Sequence, residues 1–173
     1  MAESVKITPA HHKFIDNFSD ILNCDLNNGP RKNHDPRYFR WFDTGDLQNL
    51  EMLWVINEIA YLTPEVTHWL PTKQTDFILE AVLQQQDWLW SPNLTIRVSI
   101  HLRNKQPSYF WRWVQKEALQ KQGLAIAFSQ VFDPNLGPAT DWHECAASSQ
   151  NNKCEDCRHC WTIDDVAYPW RAK

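Results

Sequence analysis

The sequence predicts an α/β fold: an open parallel sheet or a partial (β/α) barrel of about four βα units, followed by a four-cysteine metal-binding tail. Three observations predict it. Short β-branched or aromatic runs alternate with helical patterns. The segments joining successive strands run to about a dozen residues or more, the length that parallel crossovers need. Cys145, Cys154, Cys157 and Cys160 crowd together near the C-terminus, whereas Cys24 stands apart. Four strands are too few to close an eight-stranded barrel. The expected organisation is an N-terminal helix and loop over 1–37, an α/β core over 38–138 and a cysteine-rich tail over 139–173.

In "TPAHHKFIDNFSDILNC", residues 8–24, Thr8 is placed to cap a helix that Pro9 begins, and Phe14, Phe18, Ile21 and Leu22 recur at helical spacing. "DLNNGPRKNHDP" reads as a loop from its Asn, Gly, Pro and Asp content. The aromatic run "YFRWF" at 38–42 gives the first strand, with a polar turn at "DTGD". A helix follows from about Leu47, with Leu50, Leu53, Trp54, Ile56, Ile59 and Ala60 on its apolar face, and ends before Pro64. "EVTHWLPT" at 65–72 is the second strand and "TDFILEAVLQQQ" at 75–86 the next helix, capped by Thr75 or Asp76. "LTIRVSIHL" at 94–102 is a β-branched third strand. "SYFWRWVQKEALQKQ" is helical, and "GLAIAFSQVF" supplies the fourth strand. In the helix, Arg112 between Trp111 and Trp113 fits a core-facing helix with a snorkelling arginine better than a base-stacking platform.

With 43% hydrophobic and 22% charged residues, the composition is that of a globular protein. The net charge of −4 argues against an extended phosphate-neutralising surface, so a nucleic-acid partner is not favoured. No apolar run is long enough to span a membrane and no secretory leader is visible, which makes a cytoplasmic location the expectation. There is no Gly-rich phosphate loop, no G-x-S-x-G and no H-E-x-x-H, so P-loop hydrolysis and α/β-hydrolase chemistry are disfavoured.

In a reducing cytoplasm, four clustered cysteines are better read as metal ligands than as disulfides. Zinc draws its four sulfurs to within roughly 3.8 Å of one another, which chains usually achieve with two separate C-x2-C knuckles. A 4Fe–4S cubane seats each thiolate on a different iron, and a continuous C-x2-C-x2-C such as "CEDCRHC" suits that wider tripod. Both an iron–sulfur cluster and zinc fit. His143 and His159 are able to replace a cysteine, and a mixed site would favour zinc.

Ligands of open parallel sheets gather at the carboxyl ends of the strands. That rule collects Asp43, Thr44 and Asp46 after the first strand, Thr72 and Lys73 after the second, and His101 and Arg103 after the third; with Arg97, which alternates with Ser99 and His101 along the third strand, the candidate polar pocket is Asp43, Asp46, Thr72, Lys73, Arg97 and His101. The competing reading for Asp46 is a helix cap, with Gly45 making the turn. His68 inside a strand reads as satisfied packing, and the pair His11 and His12 as surface.

The segments "YFRWFDTGDLQNLEMLWVINEIAYLTPEVTHWLPTKQ", "NLTIRVSIH" and "NNKCEDCRHCW…VAYPW", in this order over roughly 38–170, resemble the bacteriophage and prophage family called gene product 88-like. The resemblance implies a phage or mobile-element origin, an α/β architecture, and a C-terminal metal site at Cys145, Cys154, Cys157 and Cys160. It also implies a distant kinship with partial-barrel radical S-adenosylmethionine proteins, whose further cysteine group lies ahead of the first strand. The first 37 residues here hold only Cys24, so the radical chemistry does not carry over.

The expected function is that of a metal-binding phage-type module, an interaction or inhibitory protein directed against a host factor, with a host or phage protein as its partner. The alternative is a small enzyme using the strand-end pocket, a reduced relative of the radical S-adenosylmethionine proteins.

Overall fold

The computed structural model describes residues 5–31, 34–84, 88–100, 103–138, 142–150, 154 and 156–170. Helix α1 runs Pro9–Asn28, and its start is fixed by a capping box in which Thr8 Oγ1 accepts from the His11 backbone while His11 Nδ1 accepts from the Thr8 backbone. The helix outlasts its expected end at residue 24, because Leu22 still packs on the core and Gly29, at φ +72°, is the first residue able to turn the chain out.

The chain then alternates as the sequence predicts: β1 Tyr38–Arg40, α2 Leu50–Leu62, β2 Thr67–Thr72, α3 Thr75–Gln84, β3 Leu94–Ser99, α4 Tyr109–Gln122 and β4 Ala125–Phe132. Two further strands lie in the tail, β5 His143–Glu144 and β6 Val166–Pro169. The sheet is therefore six-stranded rather than four-stranded. Its order is β1-β2-β3-β4-β6-β5, every neighbouring pair is parallel, and it curls into an open half-barrel. Both extra strands are too short to show alternation in the sequence. β5 finds its place only because β6, from some twenty residues later, inserts between it and β4.

Period-2 alternation assigns the two faces. Leu70, Ile96, Val98, Ile126, Phe128 and Phe132 point to one side and form a continuous core with Leu53, Ile56 and Ile59 of α2, Ile78 and Val82 of α3, and Val114 and Ala118 of α4. Trp69, Val166 and Tyr168 point to the concave side and pack there with Cys145, Cys160 and Trp161. The cysteine segment is thus a lining of the half-barrel. Among the described residues, no helix is long and apolar enough to cross a membrane.

Polar ties lock this frame. Asn93 Nδ2 donates to the carbonyls of Ala60, Thr63 and Val66, closing the α2–β2 turn. His68 is fully buried: Trp41 Nε1 donates to its Nδ1, which leaves the proton on Nε2, 2.9 Å from Thr63 Oγ1, and the Thr63 hydroxyl donates to Ile59. It is a satisfied packing histidine.

Candidate metal centre

The cysteines reach the concave face by three local devices. Cys145 follows β5, and its backbone N–H continues the ladder to Ala167. Cys154 and Cys157 share a turn closed by the Cys157 N–H on the Cys154 carbonyl at 2.8 Å. Cys160 lies in a short 3₁₀ turn, His159–Trp161, held from below by Arg97.

Arg97 sits in central strand β3 with no exposed surface. Its guanidinium donates to the carbonyls of Phe128, His159, Cys160, Thr162 and Asp164, at 2.8 to 3.4 Å. Four of these five acceptors belong to the cysteine segment. Thr95 adds a bond to the Trp161 carbonyl, and the Trp161 indole donates to Phe39. Trp161 also meets Trp69 and Tyr38 edge to face.

A cavity of about 520 Å3 remains beside this segment, and Cys145, Cys154 and Cys160 line it together with Arg40, Trp69 and Tyr168. Cys157 borders a second, more open hollow with His143 and His159, its Sγ 3.6 Å from His143 Nε2. The two imidazoles are stacked with centroids 3.5 Å apart, and His159 Nδ1 lies 3.1 Å from Asp164. Among the described residues, no three Cys, His, Asp or Glu side chains converge on one point as a ready single-ion site.

The thiols nonetheless share one electrostatic environment. Burial pushes the Cys160 thiol up to about 11, opposed by the Tyr168 hydroxyl at 3.2 Å and by Arg97. Burial likewise raises Cys145 and Cys154, and each feels its cysteine neighbours: Cys145 interacts with Cys154 and Cys157, and Cys154 with Cys157. Arg158 and Arg40 act in the opposite sense on Cys154. Cys145 and Cys160 are buried and Cys154 and Cys157 half-buried, and burial favours the protonated thiol at Cys145, Cys154 and Cys160.

Of the six strand-end candidates, five lie among the described residues, and each has its own surroundings. Asp43 is 94% exposed, and among the described residues its one ion pair is with Arg40 at 3.8 Å. Asp46 does not cap α2, contrary to the competing expectation: Asn49 does so, accepting from Met52 N–H. Asp46 instead accepts from Thr72 Oγ1 at 2.5 Å and from the Lys73 and Leu47 backbone, tying the β1 and β2 ends together around Gly45 at φ +90°. Thr72 and Arg97 are thereby committed to structural bonds. Only the Lys73 side chain is left for a cavity, and His101 lies outside the described residues.

Arg112 does not snorkel outward: it turns in to Asp165 at 2.5 Å, over the Phe128 ring, while Trp113 is exposed. Arg40, Arg158 and Tyr168 were missed from sequence. Arg158 had a signal, its place inside "CEDCRHCW", but nothing in the sequence points to Tyr168 or Arg40.

A family model described as Gene product 88 matches residues 8–163. No curated protein and no solved structure gives a significant match.

Proposed function

We propose, from the premise that this chain belongs to the Gene product 88 family of phage gene products, that it is a metal–thiolate protein acting on a host protein in the host cytoplasm. Cys145, Cys154, Cys157 and Cys160 would hold the metal, and an iron–sulfur cluster suits them better than zinc. The observation that carries this reading is the cavity of about 520 Å3 walled by three of the thiols, with Arg40 beside it and the Arg97 guanidinium behind Cys160. Thiols spread around a cavity fit the wider spacing of a cluster, in which each sulfur meets a different iron, rather than the tight tetrahedron of zinc. The fourth thiol, Cys157, is one turn away from Cys154 and within its electrostatic reach.

An interaction role is favoured over catalysis because Asp46, Thr72 and Arg97 are consumed by backbone ties, while α4 presents Tyr109, Phe110 and Trp113 to solvent. Aromatic groups of this kind anchor protein partners. The metal would then contribute folding energy to a segment that has little core of its own.

The test is elemental and sulfide analysis, with a visible spectrum, on full-length protein purified without oxygen. Iron and sulfide in near-equal amounts with broad visible absorbance support the cluster. One equivalent of zinc in a colourless protein transfers the same four ligands to a structural ion, and absence of both metals overturns the reading.

A further inference from the structure

A separate cavity, of about 400 Å3, opens toward the carboxyl ends of the strands and is lined by Lys73, Ser99, Arg103, Ser129, Tyr168 and Trp170 among others. We propose that it is a binding site for a small-molecule oxyanion, a phosphate or carboxylate held between the Lys73 ammonium and the Arg103 guanidinium. The proposal does not rest on the metal centre.

Four strands and the segments that follow them build the cavity. Lys73 follows β2, the segment after β3 brings Arg103, Ser129 comes from β4, and Trp170 follows β6. This is where parallel α/β sheets place their ligands, because side chains leaving successive strands converge there on a floor that the sheet itself makes rigid. The charge is one-sided: among the described residues no carboxylate lines the cavity, although acidic residues outnumber basic ones over the chain. Among the described residues neither Lys73 nor Arg103 forms an ion pair.

Arg103 is also positioned in advance. Its guanidinium lies 3.8 Å from the Trp170 ring centroid. Stacking through the face fixes the plane and leaves the N–H edge to donate, the geometry that suits a two-pronged bond to an oxyanion. The Lys73 side chain is oriented from its base, since its backbone N–H is held by Asp46 Oδ2 at 2.8 Å. Ser99 and Ser129 hydroxyls, 3.3 Å apart, form a polar floor that can accept or donate. Ser99, Ser129 and Tyr168 also line the thiol cavity, so the body of a ligand anchored at the cations would extend toward the cysteines.

The experiment is isothermal titration of the full chain with inorganic phosphate and, separately, with succinate, each against sodium chloride at matched ionic strength. The wild-type protein is expected to bind one of the two saturably. Lys73→Gln and Arg103→Gln are each expected to weaken that binding roughly tenfold or more, since each removes a charge-assisted hydrogen bond. Lys105→Gln, a nearby exposed lysine outside the lining, should bind as wild type. All three side chains are exposed, so unchanged circular dichroism confirms that the variants fold. Saturable phosphate binding assigns a phosphorylated ligand and saturable succinate binding a carboxylate. A response that chloride reproduces, or binding that survives the Lys73→Gln/Arg103→Gln double change, overturns the proposal.

Discussion

Arg97 and Cys160 are joined from a distance of 63 positions: the guanidinium of the central strand donates to the Cys160 carbonyl and to those of its neighbours His159, Thr162 and Asp164. A charge with no exposed surface is here neutralised by peptide dipoles rather than by a carboxylate. Burial lowers its pKa, and the nearby Cys160 thiol, Tyr168, Asp165 and Asp164 act in the opposite direction; an arginine remains charged throughout. The cysteine segment thus takes its conformation largely from one side chain in the sheet.

Replacing Arg97 with Met removes five donors and leaves their acceptors inside the fold. The expected loss is about 3 kcal/mol or more, because each buried carbonyl left without a partner carries its own desolvation penalty. Urea melts measure the total. Limited proteolysis should show cleavage between 142 and 164 before any cut in α1 to α4, and resistance of that segment in Arg97→Met would show that something else holds it.

Cys157→Ser should strip the metal and loosen the tail, whereas Cys24→Ser should do neither, since Cys24 lies exposed on α1. Metal content per chain, compared across the two variants, decides. Full loading in Cys157→Ser would remove that residue from the ligand set and point to His143, which lies 3.6 Å from it.

Stability should fall on mild acidification. Burial holds His68 down to about 4 from the ordinary 6.5, so between these values the unfolded chain takes up a proton that the folded one refuses. The contribution is fully present above about 6.5, is lost as the pH falls toward 4, and totals about 3 kcal/mol. Urea midpoints at pH 7 and pH 4.5 measure it, and His68→Gln should show a flatter dependence over that window. An unchanged slope in the variant would assign the effect to other groups.

Asp46→Asn should cost about 1–2 kcal/mol, because one neutral amide cannot replace a carboxylate accepting from the Thr72 hydroxyl and two backbone N–H groups. Asp43→Asn, in solvent, should stay within about 0.5 kcal/mol of wild type. Thermal unfolding of the pair separates the two carboxylates of the D-T-G-D turn.

The α/β alternation was legible because each of the first four strands is followed or preceded by a helix with its own period, and period changes survive in a single sequence. The helix at α1 was readable from Thr8 and Pro9, both local signals. β5 and β6 were not readable: two- and four-residue strands carry no period, and their pairing is set by partners far away in sequence. The hydrogen bonds that Asp46, Thr72 and Arg97 make within the fold were not readable from their places at strand ends. Whether Asp46, Thr72 or Arg97 faces a ligand or a backbone group depends on what lies opposite, and for Arg97 that is a loop more than sixty residues away. Lys73 lines a cavity, and among the described residues its side chain forms no ion pair.

The insertion of β6 between β4 and β5 has a consequence for synthesis. While the ribosome is still translating residues before Val166, β4 presents an open edge and β5 has no neighbour to join, so the nascent half-barrel cannot finish its wall. Parallel pairings across long separations form slowly, and an unpaired edge invites association with other chains in the meantime. The thiols wait in the same interval, since Tyr168 and the Ala167 carbonyl that orient Cys160 and Cys145 arrive after all four cysteines have emerged. Completion of the sheet and closure around the sulfurs are one late event, and a chain stalled or cut short before Pro169 would lose both together.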